Sequence, residues 1–173
     1  MQSVKVWDPF VRIFHWGTAL LFLANFAVFE DDGAAHRYAG YLLFGLVLLR
    51  ILWGLVGTKY ARFNAFWPSL RDIKEHFRGL LNRDLQPHLS HNPLGALMVY
   101  NLLIALILIS VTGIMMGSDT FWGVAWVEEA HELIANYAIV CVGLHIAGVI
   151  FESRRSKINL VKAMVTGQKN IPG

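Results

Sequence analysis

Four apolar runs dominate this chain of 173 residues, and they constrain its fold more than any other feature. They cover residues 10–29, 38–57, 96–116 and 130–151. About 20 helical residues cross a hydrocarbon core of about 30 Å, so each run is long enough to span a bilayer. Because 55% of the residues are also hydrophobic, the pattern predicts an all-α integral membrane protein. We expect a four-helix bundle that forms a single transmembrane domain over residues 1–173.

The charged residues between the runs predict which side of the membrane each loop faces. Basic residues collect before the first run, in the long second loop and after the fourth run, whereas Arg37 is the one basic residue of the first and third loops. Because basic loops stay in the cytoplasm, both termini and the second loop are expected there. The two short loops are expected outside, and they carry seven acids: Glu30, Asp31, Asp32, Asp119, Glu128, Glu129 and Glu132.

Two histidines of the fourth run, His131 and His145, are fourteen residues apart. At about 100° per residue, their side chains fall within roughly 40° of each other on one helix face. They lie roughly 21 Å apart along the helix axis, so one imidazole is near each side of the membrane. A titratable side chain inside a bilayer is costly and usually has a function.

Two further histidines match this pair in depth. Because successive spans run in opposite directions, His15 lies near the inner side with His145, and His36 lies at the outer side with His131. An imidazole on each side of the iron is what a six-coordinate b-type haem requires. The four histidines are therefore predicted to be the axial iron ligands of two haem b groups.

Other interpretations of these histidines are open. Taken singly, His36 or His131 is also compatible with a hydrogen-bonded structural residue or an interfacial residue. A zinc site is disfavoured, because the members of each pair lie on different helices and no carboxylate or thiolate completes a four-ligand shell at either depth. Cys141 is the one cysteine and the chain has no Cys-x-x-Cys-His motif, so covalent c-type attachment of haem is excluded.

Three arginines are candidates for binding haem propionates. Arg50 follows His36 by fourteen residues, so it shares the inward face of the second span at the depth of the inner histidines. A buried guanidinium needs an anion, and because no acid of the spans lies at that depth, a propionate is the expected partner. Snorkelling to the inner headgroups is the alternative. Arg37 beside His36 and Arg12 near His15 are further candidates.

Small residues lie close to the predicted haem positions. Glycines let a flat macrocycle or a neighbouring helix approach closely, and helix packing alone is the alternative explanation for them. The four glycines concerned are Gly17, Gly40, Gly113 and Gly117.

The remaining histidines and two short helices lie outside the spans. The second loop contains three histidines that are expected at the surface or in the interface: His76, His88 and His91. His91 directly precedes the third span, within reach of a propionate or a quinone headgroup. Two short amphipathic helices are expected, one capped by Ser69 and one capped by Ser156 and closed by Gly167.

Several stretches of the chain resemble the bacterial cytochrome b561 and nickel-iron hydrogenase cytochrome b family. They are residues 6–16 (VWDPFVRIFHW), residues 36–41 (HRYAGY), the fourth run with its fourteen-residue histidine interval, and residues 159–167 (NLVKAMVTG). The resemblance implies a four-helix bundle with two b haems that transfers electrons between a redox partner and the quinone pool. By position, the haem ligands of the family correspond to four residues here: His15, His36, His131 and His145.

The leading functional hypothesis is electron transfer between the quinone pool and a periplasmic redox partner, either a c-type cytochrome or an oxidoreductase subunit. The protein would then be a multi-pass protein of the bacterial inner membrane, with lipid and quinone but no nucleic acid as partners. The acidic outer loops, with Trp122 and Trp126, suit a lysine-rich cytochrome through electrostatic steering. They are equally what the topology rule and an interfacial aromatic belt produce.

Two other classes of function compete with this hypothesis. One is a superoxide:quinone oxidoreductase that acts directly on superoxide at the outer haem. An anionic substrate needs a positive funnel, and seven outer acids against Arg37 argue against it. The other is a purely structural membrane anchor, which predicts no redox-active haem and leaves the paired histidines and Arg50 unexplained.

Overall fold

The computed structural model describes residues 2–30, 33–82 and 89–171, and most of these residues are helical. The helices in chain order are α1 (Pro9–Ala27), α2 (Ala34–Val56), α3 (Leu70–Asn82), α4 (Pro93–Met116), α5 (Ala125–Ser156) and α6 (Leu160–Thr166). Four of them, α1, α2, α4 and α5, are long and apolar enough to cross a membrane. The prediction of an all-α membrane bundle with four spans is therefore confirmed. The cytoplasmic placement of the termini and the single-domain organisation stay predictions.

All four spans begin earlier than the apolar runs indicate, and the difference is largest for α2 and α5. Helix α2 starts at Ala34 rather than at residue 38, and α5 starts at Ala125 rather than at residue 130. An acidic residue in the first turn of α5, Glu128, favours the earlier start because it complements the helix dipole. As a result His36 lies in the first turn of α2 and His131 in the second turn of α5, so regular helical backbone holds both.

Helices α1 and α4 begin in the same way. Each starts at a proline that follows an Asp or Asn residue, the order that suits the N-cap and first helical positions. Asp8 Oδ1 accepts a hydrogen bond from the backbone N–H of Val11 at 2.9 Å, and Asn92 Oδ1 accepts one from Gly95 at 2.7 Å. These caps fix where the two spans begin.

The two short amphipathic helices are present, but one cap differs from the prediction. Ser69 Oγ accepts from the backbone N–H of Asp72 at 3.0 Å, as expected for the start of α3. Ser156 is the last residue of α5, where its hydroxyl donates to the Glu152 carbonyl and accepts from the backbone N–H of Ile158. Helix α6 begins at Leu160, so Asn159 occupies its N-cap position and accepts from the backbone N–H of Lys162 at 2.8 Å.

The two ends of the described chain meet in a short antiparallel sheet. Strand β1 (Gln2–Lys5) pairs with strand β2 (Gln168–Ile171). Between α6 and β2, Gly167 adopts a left-handed φ of +83°, and its carbonyl accepts from the backbone N–H groups of Val6 at 2.9 Å and Trp7 at 3.1 Å. Sequence reasoning missed the strands because four-residue strands at opposite ends of a chain have no readable periodicity.

The chain divides into two compact units. The terminal unit comprises Met1–Arg12, Leu52–Tyr100 and Gly143–Gly173, and the central unit comprises Ile13–Ile51 and Asn101–Val142. Each of the four spans contributes residues to both units. The terminal unit contains the sheet and a buried apolar cluster of Val6, Trp7, Val11, Ala61 and Ala163.

Asp8 connects several segments of the terminal unit. Its Oδ2 accepts hydrogen bonds from Trp53 Nε1 at 2.9 Å and from Thr58 Oγ1 at 2.6 Å. Burial raises the pKa of this carboxyl, but the hydrogen bonds from Thr58, Trp53 and the backbone of Val11 outweigh burial, so the pKa lies below its ordinary value of 3.8. The carboxylate is therefore ionised at neutral pH and joins the start of α1 to the end of α2.

Replacing Gly167 with alanine is expected to destabilise the terminal unit. A Cβ at this position would lie 2.6 Å from the Trp7 carbonyl oxygen, and a φ of +83° is unfavourable for alanine. We expect the free energy of unfolding to fall by about 1–3 kcal/mol, which a lower melting temperature in detergent would report.

Gly123→Ala is the matched control, because its φ is +71° but no described atom lies within 4 Å of the added Cβ. This variant measures backbone strain alone, so its free energy of unfolding is expected to fall by less than that of Gly167→Ala. Equal losses in the two variants would contradict the close approach of Trp7 to Gly167.

Candidate haem site

Two of the predicted ligands, His36 on α2 and His131 on α5, face each other within the central unit. Their ring centroids are 6.3 Å apart and their planes are inclined by 64°. Imidazole nitrogens bind transition metals at about 2.0–2.1 Å, so two imidazoles on opposite sides of one iron have centroids roughly 6 Å apart. The separation of the two rings therefore fits a six-coordinate iron between them.

Thr112 on α4 contacts one ring nitrogen of His131. A hydroxyl has one proton to donate, and the Thr112 hydroxyl lies 2.9 Å from the Leu108 carbonyl and 3.0 Å from the Ile109 carbonyl. Its Oγ1 also lies 2.9 Å from His131 Nδ1, so a hydroxyl that donates to either carbonyl accepts from this nitrogen. That arrangement puts the ring proton on Nδ1 and the lone pair on Nε2, which is the tautomer that would suit an iron ligand.

Glycines give room to the side chains around this pair. A Cβ on Gly113 would lie 3.1 Å from Cε1 of His131, which is closer than a normal contact. A Cβ on Gly40 would lie 3.9 Å from the side-chain nitrogen of Asn25. In this structure the two glycines face side chains of neighbouring spans, which agrees with the packing explanation.

The other two predicted ligands belong to different units. His15 is half-buried on α1 in the central unit, where its ring packs edge-on against Trp16 with centroids 4.9 Å apart. His145 is half-buried on α5 in the terminal unit. The pairing of His15 with His145 stays a prediction.

The three arginines have different surroundings. Arg50 is 3% exposed, so its guanidinium does not extend to the surface, which favours a buried anionic partner over snorkelling. Arg37 is exposed in the first turn of α2. The Arg12 guanidinium donates to the carbonyl of Val165, which ties α1 to the end of α6. Propionate binding by these arginines stays a prediction.

A cavity of about 350 Å³ lies beside His91 in the terminal unit. Phe66 and Trp67 form apolar walls, and the exposed carboxyl groups of Asp72 and Glu75 line it from α3. The His91 ring lies 4.6 Å from the Phe66 ring, centroid to centroid. The cavity therefore combines aromatic surface with an imidazole and with acids that reach water.

Two of the three loop histidines lie within the described residues. His76 is 4% exposed and lines this cavity, so it is not at the surface, and the expected interfacial location stays a prediction. Its neighbours in α3, Glu75 and Phe77, are exposed. His91 is half-buried, and His88 lies outside the described residues.

The short acidic loop before α5 and the first turns of α5 present charge and aromatic rings at the surface of the central unit. Glu128, Glu129 and Glu132 are exposed. Trp122 and Trp126 are 75% and 56% exposed. This exposed group of acids and tryptophans is named the acidic surface below.

Two facing imidazoles on membrane-spanning helices are a ligand pair that would suit the iron of a membrane cytochrome of the b type. The family model for prokaryotic cytochrome b561 matches residues 6–167, and the chain belongs to this family. It is therefore a multi-pass bacterial membrane protein of electron transport whose cofactor is b-type haem. The family assignment from the sequence motifs is confirmed.

Relatives of known description extend the comparison. The chain is 24% identical to the "Probable Ni/Fe-hydrogenase B-type cytochrome subunit" of Azotobacter vinelandii, over 95% of this chain and 88% of the relative. It is 25% identical to the protein of the same description from Rhizobium leguminosarum bv. viciae, over 97% of this chain and 89% of the relative. No solved structure gives a significant match.

Sequence reasoning missed two side chains around the histidine pair. Thr112 and Asn25 are polar residues within spans, and polar groups in a bilayer usually contact a partner in the bundle. That signal marks both residues as candidates. It does not tell which residue each one contacts, because the rotation of each helix is not readable from the sequence.

Replacing Thr112 with valine is expected to weaken the hold on haem at the His36–His131 pair. The variant keeps the shape of the side chain but removes the acceptor for His131 Nδ1–H, and loss of such a partner typically costs about 10–100-fold in metal affinity. We expect a lower haem-to-protein ratio after purification, measured by absorbance.

Thr18→Val is the matched control. Thr18 is also buried in a span, and the carbonyls of Phe14 and His15 lie 2.7 and 3.1 Å from its hydroxyl, so it bonds to the backbone of its own helix. Loss of haem to the same extent in both variants would contradict a specific role of Thr112.

Proposed function

We propose that this protein holds two haem b groups and transfers electrons between the quinone pool and a redox partner outside the cytoplasm. The observation that carries the proposal is the 6.3 Å separation of the His36 and His131 rings in a member of a membrane cytochrome b family. Bound haem supplies one-electron chemistry that amino-acid side chains lack. The chain itself supplies ligation, spacing and an apolar surrounding.

His36 and His131 are the proposed ligands of the outer haem. Thr112 supports this role, because its hydroxyl lies 2.9 Å from His131 Nδ1 and would accept the Nδ1–H hydrogen bond while Nε2 binds the iron. His15 and His145 are the proposed ligands of the inner haem, and the fourteen-residue interval on α5 separates the two ligand positions by roughly 21 Å along the axis.

Arginines are the proposed partners of the haem propionates. Arg50 has the strongest support, because a buried guanidinium is stable only with an anion or with several acceptors around it. Arg37, exposed beside His36, and Arg12, whose Nε is buried without a hydrogen-bond partner among the described residues, are the further candidates.

The cavity beside His91 is the proposed site of quinone exchange. A volume of about 350 Å³ suits an aromatic headgroup, and the rings of Phe66 and Trp67 provide a surface on which it can stack. Reducing a quinone to a quinol consumes two electrons and two protons. His91 is the proposed hydrogen-bond partner of a ring oxygen, and Asp72 and Glu75 connect the cavity to water as proton carriers.

The proposed external partner is a periplasmic oxidoreductase subunit or a c-type cytochrome. The similarity to probable Ni/Fe-hydrogenase B-type cytochrome subunits supports the first. The exposed glutamates of the acidic surface suit a basic protein through steering. The same negative charge disfavours the alternative function, direct oxidation of anionic superoxide, because it would repel the substrate.

Quinol-driven reduction of the haem tests this proposal. A short-chain ubiquinol is added to the oxidised protein in detergent, and the rise of reduced b-haem absorbance is followed by stopped flow. His91→Phe keeps an aromatic ring between its neighbours but removes the hydrogen bond. We expect the rate at sub-saturating quinol to fall about tenfold, which corresponds to about 1.4 kcal/mol of lost binding.

Lys74→Ala is the matched control, because Lys74 is exposed on the same helix as His76 but does not line the cavity. Its rate is expected to equal that of the wild type. Absence of quinol-driven haem reduction in the wild type would contradict the proposed function. A wild-type rate in His91→Phe would contradict only the site.

A further inference from the structure

An asparagine in the first span lies against the backbone of a proposed haem ligand. Asn25 on α1 donates a hydrogen bond from Nδ2 to the backbone carbonyl of His36 at 3.3 Å, within the central unit. Its Oδ1 is buried and accepts no hydrogen bond from any described residue. The Asn25 side chain therefore donates a hydrogen bond through Nδ2, but its Oδ1 accepts none from the described residues.

The complementary atom belongs to the same histidine. Nδ1 of His36 is buried and has no hydrogen-bond partner among the described residues. In His131, the other member of the pair, Nδ1 lies 2.9 Å from the Thr112 hydroxyl. Buried polar atoms without a partner are costly, and here a missing acceptor and a missing donor occur in two residues that already contact each other.

We propose that Asn25 is the positioning residue of His36 when haem is bound, with Nδ2 on the backbone carbonyl and Oδ1 accepting the Nδ1–H of the ring. The inference rests on the proposed ligation by His36 and His131. A metal-bound imidazole almost always donates its other N–H to an acceptor. Asn25 supplies this acceptor from α1, as Thr112 does for His131 from α4.

The surroundings of the amide fit this assignment. Gly40 lies one helical turn after His36 on α2, and the position of its missing Cβ is 3.9 Å from Asn25 Nδ2. The amide therefore lies along the first two turns of α2, on the side of the helix that carries His36. Nδ2 already contacts His36, so the assignment requires only that Oδ1 turns toward the ring of the same residue.

A hydrogen-bond acceptor at Nδ1 of His36 would change the redox equilibrium of the haem as well as the position of the ring. An acceptor on Nδ1–H makes the imidazole a stronger donor to the iron, which stabilises the ferric form. Removing the acceptor is expected to favour the ferrous form, and a carboxylate at the same position is expected to be at least as effective an acceptor as the amide. If Asn25 only filled space, the ferrous–ferric equilibrium would not depend on whether the residue at position 25 can accept a hydrogen bond.

Potentiometric titration of the b-haem absorbance tests the inference with Asn25→Leu and Asn25→Asp. In Asn25→Leu we expect the ferrous-to-ferric ratio of the outer haem at a fixed potential to rise about tenfold, a shift of about 59 mV for one electron. Asn25→Asp is expected to keep the wild-type midpoint or to lower it. The titration component of the outer haem is identified as the one that is missing in His36→Ala.

Asn136→Leu is the matched control, because Asn136 is an exposed asparagine of the same unit. It is expected to leave both midpoints unchanged. An unshifted midpoint in Asn25→Leu, or the same upward shift or loss of haem in the leucine and aspartate variants, would overturn the role of Asn25. Retention of both haems in His36→Ala would instead contradict the proposed ligand itself.

Discussion

The meeting of the His36 and His131 rings inside an apolar bundle is the constraint on which the arrangement of the central unit depends. A polar ring atom of an imidazole in an apolar bundle needs a partner from the protein or from a ligand. Thr112 lies against Nδ1 of His131 from α4, and Asn25 contacts the backbone carbonyl of His36 from α1. Each of the four spans therefore contributes a residue to the group around the two rings.

The positions of the two rings follow from the places of the two histidines in their helices and from a glycine beside them. His36 and His131 lie in early turns of α2 and α5, so the backbone of each helix fixes the direction of the ring. Gly113 has no side chain where a Cβ would approach the His131 ring to 3.1 Å. A threonine followed by a glycine thus supplies both the acceptor for the ring and the room for it.

The terminal unit buries two ionisable side chains, Asp8 and Lys169. Asp8 is buried but ionised, because Trp53, Thr58 and the backbone of Val11 all donate to it. Lys169 is also buried there. Desolvation lowers its pKa to about 8 although the nearby charge of Glu152 acts in the opposite direction. Hydrogen bonds within the terminal unit thus hold charges that isolated helices could not bury.

Much of this organisation is readable from the sequence, but the contacts are not. Length and hydropathy give the four spans, and the alternating direction of the spans predicts the same depth for His36 and His131, whose rings face each other in the structure. The spacing does not give helix rotation, so it cannot identify Thr112 as the residue that contacts His131. His76 was expected at the surface or in the interface because it lies in the loop outside the spans, and its burial beside a cavity was not readable. Asn159 caps α6 because α5 continues to Ser156 and α6 begins at Leu160.

The most direct measurement of the central claim is the number of haems bound per chain. Pyridine-haemochrome quantitation would be made on the purified wild type, on His131→Ala and on His145→Ala. Two b haems in the wild type and one in each variant, with different midpoint potentials for the haem that remains, are the expected result. One haem or none in the wild type, or two haems in His131→Ala, would contradict ligation by the two histidine pairs.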